Sequence, residues 1–184
     1  GEYVPTAAVA APQWPQRRPW LMSSPSQFRP GPPPAMNSAD WARDYNEVKS
    51  LGSKNSNLRT PEQTEIALFW EATQPPIYHG VVRSVANMPG RDATQNARLF
   101  AAVTQAADDA LIAVFDAKYR YNFWRPVTAI RYGAYDGNPQ TAADPTWNSY
   151  LETPSHPDYL SNHAVLCAAW AEILARFFGT DQFN

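Results

Sequence analysis

The chain has 184 residues, of which 44% are hydrophobic, and its formal net charge at pH 7 is -2. This length suits one domain or a large part of one, with enough apolar side chains to build a core. The near-neutral charge argues against nucleic acid as a partner, because a protein that binds the phosphate backbone shows clustered Lys and Arg. No apolar run approaches the roughly 20 residues of a transmembrane segment. The single cysteine, Cys167, cannot form an internal disulfide and leaves the redox compartment open.

Residues 1–37 form a proline-rich segment that holds nine of the 18 prolines. Proline interrupts helix interiors and central strands, so we expect an extended arm followed by a helical domain over residues 38–184. The arm carries Trp14, Trp20 and Phe28. We expect these rings to pack on the body of the domain or on a neighbouring subunit, and the second alternative predicts a homo-oligomer formed through the arm.

The rest of the chain has a helical pattern, with no regular alternation typical of strands. Thr60, Pro61 and Gln63 predict a helix start with a capping box, and Gly179 predicts a helix end. The predicted helices begin at residue 38 or 40 and end near 52, and then span residues 60–74, 78–86, 93–119, 126–130 and 161–178. Residues 140–157 form a long irregular loop, which we interpret as an active-site wall. The fold class predicted from this pattern is all-α, a helical bundle.

Two cationic side chains and the start of one helix are the candidate binding groups in this sequence. Lys118 lies on the predicted apolar face of the long helix, where an ammonium group is costly unless an anion meets it. Arg125 precedes Pro126, which biases the arginine backbone away from the helical region and lets its guanidinium point off a helix end. Ser161-Asn162-His163 opens another apolar helix, whose first N–H groups lack intrahelical partners. A lysine, an arginine and a helix N-terminus together predict an oxyanion pocket.

The same residues have structural interpretations when each is taken alone. Lys118 is as readily a surface residue with its apolar stem buried, and Arg125 a structural salt-bridge donor. A single histidine such as His163 is more often a helix cap or a core residue. The adjacent Asp108 and Asp109 point about 100° apart on a helix, which favours packing or solvent-facing roles over metal binding.

Asp116 also lies beside the apolar stripe of the long helix. The sequence places Arg120 and Arg131 as its candidate ion-pair partners. Such a pair would orient the cationic cluster.

Lys118, six intervening residues and then Arg125-Pro126 resemble the first motif of the type 2 phosphatidic-acid phosphatase and vanadium-dependent haloperoxidase superfamily. Leu160-Ser161-Asn162-His163 stands where that superfamily has Pro-Ser-Gly-His. Phe123-Trp124 before Arg-Pro is more similar to the haloperoxidase branch than to the phosphatases. The resemblance is strongest over residues 96–178 and implies a helical bundle of the vanadium haloperoxidase type.

The resemblance also implies a role for each matched residue. Lys118 and Arg125 would hold the equatorial oxygens of vanadate or phosphate. Ser161 and the backbone amide of Asn162 would donate hydrogen bonds, and His163 would be the acid-base residue.

A candidate halide pocket follows from the same resemblance. His156 falls where haloperoxidases place a halide-pocket residue, and a histidine there resembles the bromide-preferring members. Phe115 is grouped with it in this pocket. Because His156 precedes Pro157 in a loop, the alternative is a simple turn residue.

Two departures from the superfamily pattern affect these expectations. Asn162 replaces a glycine and adds a side chain where the backbone must approach the anion closely. No histidine follows His163, and the only later arginine is Arg176, so the third motif, Arg-x5-His, is absent. We therefore expect an incomplete catalytic domain, with no direct metal ligand in this chain.

Three functions are compatible with this pattern. The first is a haloperoxidase that oxidises halide with hydrogen peroxide at vanadate, and the second is an acid phosphatase that uses the same pocket. The third is a catalytically incomplete fragment or an oligomerising module. Vanadate is the expected cofactor, with phosphate as its mimic or as an alternative substrate. The expected partners are small anions, hydrogen peroxide and a small organic substrate, and the resemblance favours a secreted or periplasmic location.

Overall fold

The computed structural model describes residues 1–71, 75–87 and 89–182. These residues form six α-helices: α1 (Ala39–Leu51), α2 (Pro61–Glu71), α3 (Pro75–Ala86), α4 (Ala93–Tyr121), α5 (Pro126–Arg131) and α6 (Asn162–Phe178). Over the same ranges, β-type pairing is limited to two isolated bridges, Glu2 with Phe123 and Ser53 with Ser149. No helix in this part of the chain is both long enough and apolar enough to cross a membrane. The predicted all-α fold is confirmed.

The chain divides into two compact units. The first unit contains Gly1–Pro12, Pro30–Phe69 and Ala117–Leu160. The second contains the described parts of Gln13–Arg29, Trp70–Asp116 and Ser161–Asn184. The division into an arm over residues 1–37 and a helical domain over residues 38–184 stays a prediction.

The helix boundaries follow local signals. The capping box of α2 is confirmed, because Thr60 N donates to Gln63 Oε1 at 2.9 Å and Gln63 N donates to Thr60 Oγ1 at 3.1 Å. Gly179 ends α6 in the left-handed region with φ 69°. Helix α3 begins at Pro75, three residues before the predicted start, because proline fits the first turn of a helix. The predicted end of α2 at residues 72–74 and the predicted break at Met88 lie outside the described residues.

The core of the first unit lies between α1, α5 and the loop that follows α5. Tyr45, Ile130 and Trp147 are buried together there. Tyr45 Oη donates to the Ala142 carbonyl at 3.0 Å. Burial, reinforced by nearby carboxylates, raises the pKa of Tyr45 to about 12, so its hydroxyl keeps its proton and remains a donor. These contacts fix the irregular loop against α1.

The transition from α4 to α5 sets the backbone before Arg125. Asn122 takes φ 46° after the end of α4, a left-handed conformation that asparagine tolerates. The Tyr3 N–H donates to the Asn122 carbonyl at 2.8 Å, so the first residues of the chain pair with this segment. Arg125 then has φ -82° and ψ 155°. Its predicted extended backbone before Pro126 is confirmed.

The core of the second unit is formed by α3, α4 and α6. On α6 the buried residues are Leu166, Trp170 and Leu174, spaced four apart on one face. Helical periodicity by itself predicts Val165, Leu166, Ala169, Ile173 and Phe177 as the inward residues, and so misses Trp170 and Leu174. The inward face is therefore rotated, because burying the large indole of Trp170 removes more apolar area from water than burying Ala169. Ile173 and Phe177 are half-buried at the edge of this core.

Two aspartates of α4 hold part of the N-terminal arm in the second unit. The Asp109 carboxylate accepts the backbone N–H groups of Trp20, Leu21 and Met22 at 2.7, 2.8 and 3.1 Å. The neighbouring Asp108 accepts the Trp20 indole N–H at 2.8 Å. Both residues therefore have the packing role that the sequence favoured.

The predicted partner of Asp116 is wrong. Arg29 of the arm donates to both Asp116 oxygens, at 2.6 and 2.8 Å, whereas Arg120 is exposed. Arg131 belongs to the first unit, where its Nε donates to the Trp147 carbonyl at 2.8 Å. The planar guanidinium of Arg29 matches a carboxylate with two parallel bonds, a geometry that local helix spacing does not reveal.

Candidate oxyanion site

Lys118 is a buried cation in the first unit, with only 1% of its surface exposed. Its Nζ donates to the carbonyl oxygens of Pro157 and Asp158 at 2.7 and 2.6 Å. An ammonium group has three N–H donors, so one donor remains beyond these two bonds. The lysine that the sequence placed on an apolar helix face is thus held by loop carbonyls, with donor capacity left over.

Burial sets the protonation of this lysine. Loss of hydration lowers the pKa of Lys118 to about 7; repulsion from Arg125 acts in the same direction, and Asp158 opposes it. The amine therefore changes charge near neutral pH. Because a negative charge nearby stabilises the protonated form, an anion bound here would raise this pKa.

Arg125 is also largely buried, with 11% of its side chain exposed. Its Nε donates to the His156 carbonyl at 2.6 Å, its Nη1 to Asp158 Oδ1 at 2.8 Å, and its Nη2 contacts His156 Nδ1 at 2.7 Å. A guanidinium can only donate, so His156 Nδ1 is the acceptor in this contact. Nη2 also lies 3.4 Å from His156 Nε2, so the second N–H of Nη1 is the guanidinium donor left over by these four contacts.

Tyr3 adds a hydroxyl close to this cluster. Its Oη is buried and has no hydrogen-bond partner among the described residues. Burial raises the pKa of Tyr3, and the positive charge of Arg125 opposes that rise. Burial lowers the pKa of Arg125, while Asp158 and Tyr3 oppose that change. Arginine stays protonated at neutral pH, so the cluster keeps a permanent cation.

Sequence reasoning missed both Asp158 and Tyr3. Asp158 had an available signal, since it lies two residues after His156 and directly follows the loop over residues 140–157 that was assigned to the wall of the site. Tyr3 had none, because it is distant in sequence from Arg125 and comes close through the pairing of residues 1–3 with the segment after α4.

The start of α6 belongs to the second unit. Ser161 is the N-cap, and its Oγ accepts the Ala164 N–H at 3.3 Å. A serine hydroxyl that accepts one bond still has its own hydrogen to donate. Asn162 is the first helical residue, so its backbone N–H has no partner within the helix. Its side-chain Oδ1 is buried and accepts no bond from the described residues, and His163 is half-buried beside it.

Some of the predicted site residues therefore lie together in the first unit, and the others belong to the second unit. Lys118, Arg125 and His156 form one cluster of the first unit, around Asp158. The three residues of the second motif are consecutive at the start of α6. Phe115 is buried in the second unit, where its ring centroid lies 6.0 Å from that of Trp14. The roles predicted for all of these residues stay predictions.

The donor chemistry of the first-unit cluster suits an oxyanion such as vanadate or phosphate. Lys118 and Arg125 retain N–H groups beyond their bonds to the protein, and charge-assisted N–H donors are what such oxygens require. Asp158 is the opposing feature, since an anion that reached Arg125 would share it with this carboxylate. The side chain of Asp158 is 37% exposed, so water weakens its hold on the guanidinium.

Comparison with known proteins identifies the family that this chain resembles. The family described as the VCPO second helical-bundle domain matches residues 98–184. The vanadium chloroperoxidase of Curvularia inaequalis is 28% identical, over 82% of this chain and 30% of that protein. A solved bacterial vanadium-dependent iodoperoxidase superposes with a TM-score of 0.78 and 29% identity, over 97% of this chain and 45% of that one. The chain is therefore similar to vanadium haloperoxidases in sequence and fold.

A second solved structure supports the fold of this haloperoxidase-like chain. The apo-type bacterial vanadium-dependent chloroperoxidase superposes with a TM-score of 0.76 over 97% of this chain and 40% of that one, at 23% identity. The haloperoxidase-like chain thus spans less than half the length of each of these relatives. The resemblance deduced from the first two motifs is confirmed at the level of the haloperoxidase branch.

Proposed function

We propose that this haloperoxidase-like chain binds vanadate and takes part in the oxidation of a halide by hydrogen peroxide. The observation that carries the proposal is the buried pair Lys118 and Arg125, which retains N–H donors after its bonds to the protein are counted. Two buried cations of like charge are costly to a fold unless anions compensate them. Among the described residues of the cluster Asp158 supplies a full negative charge to Arg125, so an anion would complement Lys118 when that lysine is protonated, at a pH below about 7.

Each residue of the two motifs has a defined part in this proposal. Lys118 and Arg125 hold anion oxygens by charge-assisted bonds, while Ser161 and the Asn162 backbone N–H donate further hydrogen bonds. His163 takes and gives a proton at its imidazole, whose ordinary pKa lies near neutral pH. Vanadate, when bound, activates peroxide towards halide without a change in the oxidation state of the metal.

The halide assignment belongs to the same proposal. Arg125 Nη2 lies 2.7 Å from His156 Nδ1 and 3.4 Å from Nε2, so the imidazole ring lies against the guanidinium. We propose His156 and Phe115 as halide-pocket residues, with bromide as the preferred halide.

The test combines binding with two activities. Vanadate binding to the full chain is measured by equilibrium dialysis, and bromide oxidation with peroxide is compared with hydrolysis of p-nitrophenyl phosphate. The proposal predicts stoichiometric vanadate binding and vanadate-dependent bromide oxidation. Hydrolysis of p-nitrophenyl phosphate without bromide oxidation would contradict the haloperoxidase proposal and favour the phosphatase function. Vanadate binding without either activity would favour a catalytically incomplete fragment, and no binding would overturn the proposal.

A further inference from the structure

The first unit contains a polar cavity of about 870 Å³ whose lining includes neither Lys118 nor Arg125. Its walls come from residues 6–7 of the arm, from Lys54, from α5 and from the loop over residues 148–155. Small-molecule sites in proteins usually occupy about 300–1,000 Å³, so the cavity is large enough for an organic ligand. The lining carries the hydroxyl groups of Thr6, Ser149, Tyr150, Thr153 and Ser155. A lining so rich in hydroxyl groups indicates a polar ligand.

We propose that this cavity binds a sugar acid, which is a molecule with several hydroxyl groups and a single carboxylate. The two cations of the lining, Lys54 and Arg131, would bind the carboxylate, and the hydroxyl side chains would bind the hydroxyl groups of the sugar. This site goes beyond the function proposed above, because it needs no vanadate, halide or peroxide.

The two cations of the cavity are anchored to the same residue, Asn148. Arg131 Nη2 donates to Asn148 Oδ1 at 2.5 Å, and Arg131 Nε donates to the Trp147 carbonyl at 2.8 Å. The backbone N–H of Lys54 donates to the Asn148 carbonyl at 2.8 Å. Residues that are distant in sequence are therefore held at one wall of the cavity before a ligand binds. Such preorganisation lowers the entropy lost on binding.

Both cations keep hydrogen-bond donors for a ligand. Within residues 1–71, 75–87 and 89–182, neither Arg131 Nη1 nor Lys54 Nζ has a hydrogen-bond or ion-pair partner. Glu152 is the acid among the described residues of the lining, so two positive charges face one negative charge. A ligand with one negative charge balances this set. A phosphate monoester, with a charge of about -1.5 to -2 at pH 7, exceeds it.

The hydroxyl side chains of the loop also have groups left for a ligand. Ser149 Oγ donates its hydrogen to the Leu151 carbonyl at 2.7 Å and lies 3.2 Å from Thr153 Oγ1. Thr153 is therefore the donor to Ser149, and its oxygen can still accept a bond. Ser155 is tied to the arm through its carbonyl, which accepts the Ala10 N–H at 2.8 Å, so its hydroxyl is not used in that contact. A simple inorganic anion would leave these hydroxyl groups unused, whereas a sugar would bond to them.

Binding is tested by NMR titration of the full chain with galacturonate, without vanadate or peroxide. We expect saturable binding with a Kd on the order of 1 mM for a ligand of about thirteen non-hydrogen atoms. Galactose lacks the carboxylate and acetate lacks the hydroxyl groups, so each should bind at least about tenfold more weakly. Absence of saturable galacturonate binding would overturn the proposal. Equal affinity for galacturonate and for either partial analogue would also overturn it.

Two variants test the cations of the cavity. Lys54→Ala removes an exposed charge and keeps the backbone bond to Asn148, so it should fold and weaken galacturonate binding by about threefold to fivefold. Arg131→Ala should weaken binding by at least about tenfold, with circular dichroism and thermal unfolding as the check that it folds. Arg43→Ala is the matched control, because it removes one positive charge from an exposed position outside the cavity. Equal affinity in Lys54→Ala and Arg43→Ala would overturn the site.

Substitutions in the oxyanion cluster separate this inference from the proposed function. Folded Lys118→Met and Arg125→Ala should bind galacturonate as tightly as the unmodified chain, because neither residue lines the cavity. Loss of galacturonate binding in both folded variants would place the ligand at the oxyanion cluster and overturn the proposal. If vanadate does not bind to the chain, the proposed function fails while the galacturonate result stands.

A last titration identifies the source of the sugar acid. Trigalacturonate presents the same chemistry as one unit of an acidic polysaccharide. Binding of trigalacturonate that is at least about threefold tighter than that of galacturonate would support a polysaccharide, and equal or weaker binding would support a free sugar acid.

Discussion

Helix α4 carries ionised side chains in both units, and the two groups are used differently. In the second unit Asp109 accepts three backbone N–H groups and Asp116 receives a two-bond contact from Arg29. In the first unit Lys118, with Arg125 beyond the helix end, donates to the protein but retains N–H groups. The carboxylates of Asp109 and Asp116 therefore bind the arm, whereas Lys118 and Arg125 retain N–H groups that could bind another molecule. A structural ionised residue has all of its hydrogen-bonding groups paired within the protein, whereas a candidate binding residue has some unpaired. Charge or burial alone does not separate the two.

The largest expected effect comes from Asp109→Ala. Three backbone N–H groups would lose their acceptor at a position that is 5% exposed, so the free energy of unfolding should fall by about 3 kcal/mol. Denaturant unfolding measures this change. The neighbouring variant Asp108→Ala removes a more exposed pair and should cost less than about 1 kcal/mol. Similar losses for both variants would contradict the structural role of Asp109.

Removal of Arg125 tests a candidate binding residue rather than a structural one. Arg125→Ala should weaken vanadate binding by about 1.5–3 kcal/mol, the range for bonds to charged groups. Equilibrium dialysis measures the affinity. Arg43→Ala removes the same charge from an exposed ion pair of the first unit and is the matched control. An unchanged affinity in Arg125→Ala would remove that residue from the anion site.

The lowered pKa of Lys118 predicts a pH dependence of anion binding. Sulfate keeps its charge over this range, so its affinity reports the protonation of the protein. Because Lys118 loses its proton as the pH rises through about 7, sulfate affinity should be highest below pH 7 and fall by about tenfold between pH 6 and pH 8. Isothermal titration of Lys118→Met should lack this fall. Identical pH profiles for the two proteins would contradict the prediction.

The same lysine links pH to stability. Its pKa falls from 10.5 to about 7 on folding, so between these values the unfolded chain binds more protons than the folded one. Stability therefore rises with pH across this window, and the cost of the buried ammonium is fully present below pH 7. The effect of Lys118→Met on the free energy of unfolding should accordingly be less destabilising at pH 6 than at pH 9.

The smallest expected effect concerns Ser161. Its Oγ caps α6, so Ser161→Ala should lower the free energy of unfolding by about 1 kcal/mol, whereas Ser161→Gly should cost only a few tenths. Thermal unfolding distinguishes the two variants. If both variants weaken vanadate binding equally despite this difference in stability, Ser161 has a binding role beyond its cap. Unchanged vanadate affinity in both variants would limit Ser161 to the cap.

Local rules were sufficient for most of the helical framework. Ser161 and Thr60 start their helices and Gly179 ends one, because caps depend on neighbouring residues. The extended backbone of Arg125 followed from the ring of Pro126. The partner of Asp116 and the inward face of α6 were not accessible in this way. Arg29 is distant in sequence, and the burial of Trp170 depends on what the other helices offer it.

The sequence by itself determined an all-α fold of the haloperoxidase type and two motifs that resemble those of the haloperoxidases, because spacing, capping and residue type are local properties. Only the tertiary structure decided how Lys118 and Arg125 are bonded, that Asp158 shares the arginine, and that the hydroxyl of Tyr3 is buried close by. It also decided that Lys54 and Arg131 line one polar cavity. These features depend on segments far apart in the chain, and the burial that sets the pKa of Lys118 exists only after those segments have packed.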